Sequence, residues 1–140
     1  MTVTINVWAI LVCVVVSVVL GFIWYGPLFG KKWMALNGMK MPNPKPGFSV
    51  MVKPIIISVV GAFFMGFVMA RLIAVGTAYL GFSGISNGLA TALMVWVGFI
   101  VPVLFNFSGW EGKSWKLFFI NSGYWLAFLL ISGTIISVWM

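Results

Sequence analysis

The sequence predicts an all-α membrane protein, with four transmembrane helices and a short interfacial helix after the first. Of its 140 residues, 63% are apolar and only 6% are charged, and the mean hydropathy is +1.18. A soluble domain of this length needs far more polar surface than these residues can supply. Four separate apolar runs are each long enough to cross roughly 30 Å of hydrocarbon, which takes about 20 helical residues.

The four spans are predicted over about 5–29, 54–79, 88–107 and 117–139, within a single domain that covers residues 1–140. Their apolar residues are continuous rather than alternating, which favours helices over the strands of a membrane barrel. The first run is preceded by no lysine or arginine and is too long for a secretory signal. We therefore expect it to be retained as a span.

The segment after the first span is predicted to bend at Gly26-Pro27 and to continue as a short interfacial helix that ends near Gly38. Beyond the bend, apolar side chains recur on one helical face, namely Leu28, Phe29, Trp33 and Leu36. Lys31 and Lys32 point away from that face, as expected of a helix lying at a membrane surface. The next prolines, Pro42, Pro44 and Pro46, predict an extended segment.

Lysines concentrate in two predicted loops and set the orientation. The loop over 30–53 holds Lys31, Lys32, Lys40, Lys45 and Lys53, and the last loop holds Lys113 and Lys116. Basic residues remain on the cytoplasmic side, so both loops are predicted to be cytoplasmic and both termini outside. The net charge of +7 favours anionic partners. Because the charge lies beside a bilayer, we expect anionic lipids at the cytoplasmic face, with Lys31 and Lys32 as candidate contacts, and no nucleic acid.

The second span carries a ridge of small residues at every fourth position: Ser58, Ala62, Gly66, Ala70, Ala74 and Ala78. Small residues let helix backbones approach closely, and such packing drives helix association in lipid. Gly84, Gly88 and Ala92 repeat the spacing into the third span. The ridge predicts tight packing within the chain, and a homo-oligomer interface is the alternative.

Arg71 is the single charged residue inside a predicted span. Lys53 marks the cytoplasmic edge, and a separation of eighteen positions places Arg71 roughly 27 Å away, near the outer interface. Snorkelling of the side chain to that interface is one interpretation. A contact with an anion, a lipid or another helix is the other, since charges within spans are rare and often functional.

A polar pocket is predicted where the helices meet the cytoplasmic loops. Six side chains are placed at this depth: Tyr25, Asn106, Glu111, Lys113, Asn121 and Tyr124. Asn121 and Tyr124 are three residues apart and share a helix face, which should turn inward because amides avoid lipid. Ser108 and Glu111 also have the spacing of a helix capping box, which gives Glu111 a purely structural interpretation.

The residue inventory excludes many kinds of chemistry. The chain has no histidine, one acidic residue and one cysteine. These counts exclude a paired-carboxylate site, a Ser-His-Asp triad, and zinc or di-iron centres, so no metal or other cofactor is predicted. Proton-coupled transport usually relies on acidic or histidine side chains within the bilayer, and none is found there. We expect no enzymatic activity.

Two motifs resemble a known family. Gly21–Met34 reads GFIWYGPLFGKKWM and Glu111–Tyr124 reads EGKSWKLFFINSGY. Together they resemble the prokaryotic membrane proteins grouped as domain of unknown function 1761, and the likeness spans nearly the whole chain. The resemblance implies a small multi-pass protein of the prokaryotic cytoplasmic (inner) membrane and brings no established activity.

Two functions remain open from the sequence. The favoured one is a non-enzymatic membrane protein that binds a membrane partner or lipid through its helix faces and basic cytoplasmic loop. The alternative is a small oligomeric transporter or channel for an unknown solute, since four helices this apolar can hardly enclose a wet path alone.

Overall fold

The computed structural model describes residues 4–40 and 47–140, and these residues contain helices and no strands. Helix α1 (Val7–Ile23) runs into a π-helical turn over Trp24–Leu28 and is followed by α2 (Gly30–Leu36). The remaining helices are α3 (Phe48–Leu80), α4 (Gly84–Val95) with a π turn over Trp96–Ile100, α5 (Val101–Gly109) and α6 (Trp115–Val138). The predicted extended segment at Pro42, Pro44 and Pro46 lies outside the described residues.

The all-α fold with four spans is confirmed. Four stretches are long and apolar enough to cross a membrane, at Val7–Leu28, Phe48–Leu80, Gly84–Gly109 and Trp115–Val138. Helix α2 is the short helix predicted after the first span, and it ends just before Gly38, which has a positive φ of 67°. We name the end of the bundle that carries α2 and the α5–α6 loop the lysine-rich end, and the end that carries the α3–α4 loop the distal end.

Two spans begin earlier than the sequence predicts. Helix α3 starts at Phe48 and takes Pro54 into its second turn. A proline at this position removes the backbone hydrogen bond to the carbonyl four residues earlier and crowds that carbonyl with its ring. Transmembrane helices tolerate such prolines, because neighbouring groups can satisfy the freed backbone. Helix α4 starts at Gly84, directly after an extended Ser83, so the α3–α4 loop is short.

The predicted capping box at Ser108 and Glu111 is wrong. Ser108 lies inside α5, where it is buried, and Glu111 lies in the loop that follows. Helix α6 is instead capped by Ser114, whose Oγ accepts a hydrogen bond from the Lys116 N–H at 3.2 Å. The extended backbone of Ser114 is the conformation that an N-cap requires, whereas Ser108 is helical.

Helix α6 is the centre of the bundle. It contacts the other five helices and is the most buried of the four spans. Its Phe128 and Leu129 are fully buried in one apolar cluster with Ile10 of α1 and Met69 of α3. Because lipid is as apolar as these side chains, the cluster is stabilised by close packing rather than by removal from water.

The closest helix approach joins α4 and α6 at Gly88 and Gly133. A Cβ added to either glycine would collide with the carbonyl group of the other. The two backbones therefore touch directly, as in the small-residue crossings of membrane helices. Ala92, which is fully buried one turn after Gly88, continues this contact.

The small-residue ridge of α3 is partly enclosed by the bundle. Its four middle members are buried and its two end members are exposed; the first group is Ala62, Gly66, Ala70 and Ala74, and the second is Ser58 and Ala78. A Cβ on Gly66 would lie 3.1 Å from Ile10 Cγ2, so α1 approaches α3 closely at this glycine. A homo-oligomer that uses this ridge stays a prediction.

Asn87 forms a buried polar contact between α3 and α4. The sequence assigns it to a loop, yet it lies in the first turn of α4 with 3% of its surface exposed. Its Nδ2 donates to the Ile73 carbonyl at 2.8 Å and to Thr77 Oγ1 at 3.0 Å. Gly76 makes room for this amide, because a Cβ there would lie 2.6 Å from Asn87 Oδ1.

Candidate functional site

Two tryptophans fix the geometry of the lysine-rich end. Trp24 and Trp96 are the first residues of the two π turns, and their indole N–H groups donate to the carbonyls of Ile120 and Ser122 on α6, each at 2.9 Å. Gly123 leaves space for the Trp24 ring, since a Cβ there would lie 3.0 Å from Cζ2. Both π turns are therefore held against α6, and π turns often occur at functional sites.

The π turn of the first span places Tyr25 against α6. The Tyr25 hydroxyl donates to Asn121 Oδ1 at 2.7 Å, and its ring centroid lies 5.4 Å from that of Tyr124. The Tyr124 hydroxyl donates to the Ser17 carbonyl at 2.9 Å. The three side chains thus link α1 to α6 through two hydrogen bonds and a ring contact.

A cleft of about 190 Å³ lies beside this cluster, between α2, α5 and α6. Its lining is Trp33, Asn37, Leu104, Phe107, Ser108, Lys113, Leu117, Phe118 and Asn121. On the α2 side of the cleft, Asn37 Nδ2 donates to the Trp33 carbonyl at 2.9 Å. The Trp33 and Tyr25 rings also pack edge-on, with their centroids 5.5 Å apart. The cleft therefore combines one cation, polar groups and an apolar wall.

The structure brings together four of the six residues predicted for the polar pocket. Tyr25 contacts both Asn121 and Tyr124, and Asn121 and Lys113 line the cleft. Asn106 and Glu111 are exposed and do not line it.

The position of Asn106 follows from helical geometry. The cleft takes Leu104, Phe107 and Ser108 of α5, which share one face at helical spacing. Asn106 is two residues from Leu104 and so lies about 200° around the helix, at 3.6 residues per turn. Depth along the bundle is therefore insufficient to predict which polar residues meet.

Sequence reasoning missed Trp33 and Asn37 as cleft residues. They are four residues apart on the predicted short helix, so they share a face. That spacing was the available signal, because an amide next to an aromatic ring on the inner face of an interfacial helix has to meet polar groups of the bundle.

The predicted cationic contacts lie on two different helices and are all exposed. Lys31 and Lys32 are exposed on the first turn of α2 at the lysine-rich end. Arg71 is exposed on α3, and its guanidinium carbon lies 5.3 Å from the Phe67 ring centroid, which is a cation–π contact across one helical turn. No ligand for Arg71 follows from this contact.

Comparison with known proteins gives a family. The family model described as "Protein of unknown function (DUF1761)" matches residues 8–137. The chain belongs to the DUF1761 family. The DUF1761 match includes both motifs on which the resemblance was based, so membership of that family is confirmed. The match covers the four spans except for Val7 and Val138. The chain matches no curated protein and no solved structure.

In this DUF1761 protein, we expect Tyr25→Phe to lower the free energy of unfolding by about 1 kcal/mol, because the substitution removes the hydrogen bond to Asn121. Chemical unfolding in mixed micelles measures the change. The matched control is Tyr79→Phe, since Tyr79 is 74% exposed at the distal end. Equal effects of the two substitutions would contradict a stabilising Tyr25–Asn121 bond.

Proposed function

We propose that this protein is a non-enzymatic integral membrane protein of the prokaryotic cytoplasmic membrane, whose lysine-rich end faces the cytoplasm and binds anionic lipids of that leaflet. The observation that carries the proposal is the distribution of charge. Every lysine among the described residues is exposed at the lysine-rich end, as follows: Lys31, Lys32, Lys40, Lys53, Lys113 and Lys116. Loops rich in lysine and arginine usually lie on the cytoplasmic side of a membrane, which supports a cytoplasmic location for this end.

The charges are close enough to the membrane to act on its surface. Each lysine near an anionic leaflet contributes on the order of 1 kcal/mol, and the attraction falls off within a Debye length. Large aromatic side chains are exposed at the same end, with Trp110 at 89% and Trp115 at 53% exposure. Tryptophan is enriched where helices meet lipid headgroups, which supports placing this end at an interface.

Orientation is tested by cysteine labelling in intact cells. The native thiol of Cys13 is fully buried, so Lys40→Cys and Ser83→Cys, at two exposed positions, each supply one accessible thiol. We expect a membrane-impermeant maleimide to label Ser83→Cys in intact cells and Lys40→Cys only after permeabilisation. The reverse pattern would overturn the proposed orientation.

Lipid binding is tested by native mass spectrometry of protein released gently from its membrane. We expect anionic phospholipid to remain bound and to be lost as the salt concentration rises. A homo-oligomer that carries no lipid would contradict the proposal and would justify flux assays in vesicles. A reproducible protein companion in place of lipid would also contradict it.

A further inference from the structure

We infer that the cleft between α2, α5 and α6 binds the phosphate group of a single anionic lipid, with Lys113, Asn121 and Trp33 as its ligands. The inference rests on the proposed function, because it assigns a discrete site to the lipid binding proposed for the lysine-rich end. It differs from that proposal in being local. Loss of the Lys113 charge should weaken lipid binding far more than loss of a neighbouring lysine's charge.

The hydrogen bonds around the cleft determine which of its polar atoms are free to bind a ligand. The Tyr25 hydroxyl donates a hydrogen bond to Asn121 Oδ1. This bond orients the amide and leaves its Nδ2 group free to donate to a ligand. Among the described residues this Nδ2 group donates to no protein atom, and neither does Trp33 Nε1. Lys113 adds an ammonium group with three further donors.

The charge balance of the cleft selects an anion. Lys113 is the single charged residue in its lining, and the single acidic residue of the chain, Glu111, is not part of that lining. Ion pairs and charge-assisted hydrogen bonds from lysine to phosphate are stronger than neutral ones. A group of donors around one cation, without a carboxylate, is complementary to a phosphate oxygen.

The apolar part of the lining favours a lipid over a free phosphate ion. One wall of the cleft is apolar and would make no favourable contact with an inorganic anion. It consists of Leu104 and Phe107 of α5 and Leu117 and Phe118 of α6. Phe107 is 44% exposed, so the wall continues to the outer surface of the bundle, where acyl chains lie. A headgroup phosphate seated on Lys113 would therefore leave its chains along α5 and α6.

The experiment uses the intact protein in neutral detergent, titrated with short-chain phosphatidylglycerol and followed by native mass spectrometry. We expect one bound phosphatidylglycerol per chain, and Lys113→Gln is expected to weaken its binding about tenfold. Lys116→Gln is the matched control, because it removes the same charge from an exposed position on the first turn of α6 that does not line the cleft. A neutral micelle has no anionic surface on which Lys116 could act, so this control should change binding of the single lipid less than twofold.

A second variant changes the Asn121 donor and the charge of the cleft together. Asn121→Asp keeps an acceptor for Tyr25 and puts a negative charge into the cleft, so phosphatidylglycerol binding should be lost. Thermal unfolding of each variant reports whether the fold is retained, and Lys113→Arg, which keeps the charge, should bind within a few-fold of the native chain.

The outcomes separate the two proposals. Equal weakening by Lys113→Gln and Lys116→Gln would overturn the discrete site and leave the general attraction to anionic lipids intact. Inorganic phosphate that competes as well as the lipid would overturn the lipid assignment. If neither phosphatidylglycerol nor phosphate binds, the discrete site is overturned. The proposed function fails separately, if protein released from its own membrane carries no anionic phospholipid.

Discussion

Gly88→Ala is expected to lower the free energy of unfolding by about 3 kcal/mol or more, the upper range for overpacking. The added methyl would collide with the Gly133 carbonyl and would also lie 2.7 Å from Ser137 Oγ. A flexible side chain can move aside, but here the obstacle is the backbone of the central helix. Relief requires that α4 and α6 separate, which breaks the most extensive helix contact of the bundle.

Unfolding in mixed micelles, monitored by tryptophan fluorescence, measures this effect. The control is Gly61→Ala, since Gly61 is exposed within α3 and a Cβ there would have nothing within 4 Å. The free energy of unfolding of Gly61→Ala should rise by up to roughly 1 kcal/mol, because alanine is a better helix former than glycine. Gly133→Ala should reproduce the Gly88→Ala loss. Native-like stability of either variant would refute the direct backbone contact.

Gly66→Leu is expected to cost about 2 to 3 kcal/mol through overpacking between α1 and α3. Even the Cβ would lie 3.1 Å from Ile10 Cγ2 and 3.9 Å from the Cys13 Cβ, so the rest of a leucine side chain has no space. The free energy of unfolding is again the measured quantity, together with the number of subunits found by native mass spectrometry.

The matched variant for this position is Gly61→Leu, which puts the same side chain on the exposed side of the same helix. We expect it to raise the free energy of unfolding by up to roughly 1 kcal/mol, as for Gly61→Ala, because leucine is also a better helix former than glycine. If Gly66→Leu changed the subunit number and not the stability, the ridge would serve contacts between chains and the intramolecular packing described above would be refuted.

The sequence predicted the number, type and order of the spans because continuous apolarity over about 20 residues has few other solutions. It misplaced the starts of α3 and α4. Pro54 predicts the beginning of a helix, whereas the structure places it in the second turn of α3, a position that transmembrane helices tolerate. Asn87 lies in the loop just before the predicted third span, whereas in the structure its amide is satisfied inside the bundle by the Ile73 carbonyl and Thr77.

The candidate site could be predicted in part. Depth along the spans placed Tyr25 level with Asn121 and Tyr124, and the structure joins them. The direction in which a side chain points around its helix is harder to predict than its depth, because that direction depends on the rotation of each helix about its axis. The π turns add to the difficulty: a turn closed by i→i+5 bonds shifts the helical phase of all that follows, and no periodicity in Trp24–Leu28 or Trp96–Ile100 reveals it.

The central position of α6 has a consequence for biogenesis. It follows the other three spans along the chain, yet it supplies the Gly133 backbone for α4 and the carbonyls that hold Trp24 and Trp96. Until α6 enters the bilayer, the nascent protein can form the α1–α3 and α3–α4 pairs but has neither indole bond. A chain interrupted before Trp115 should therefore stay loosely assembled and become a substrate for membrane proteases.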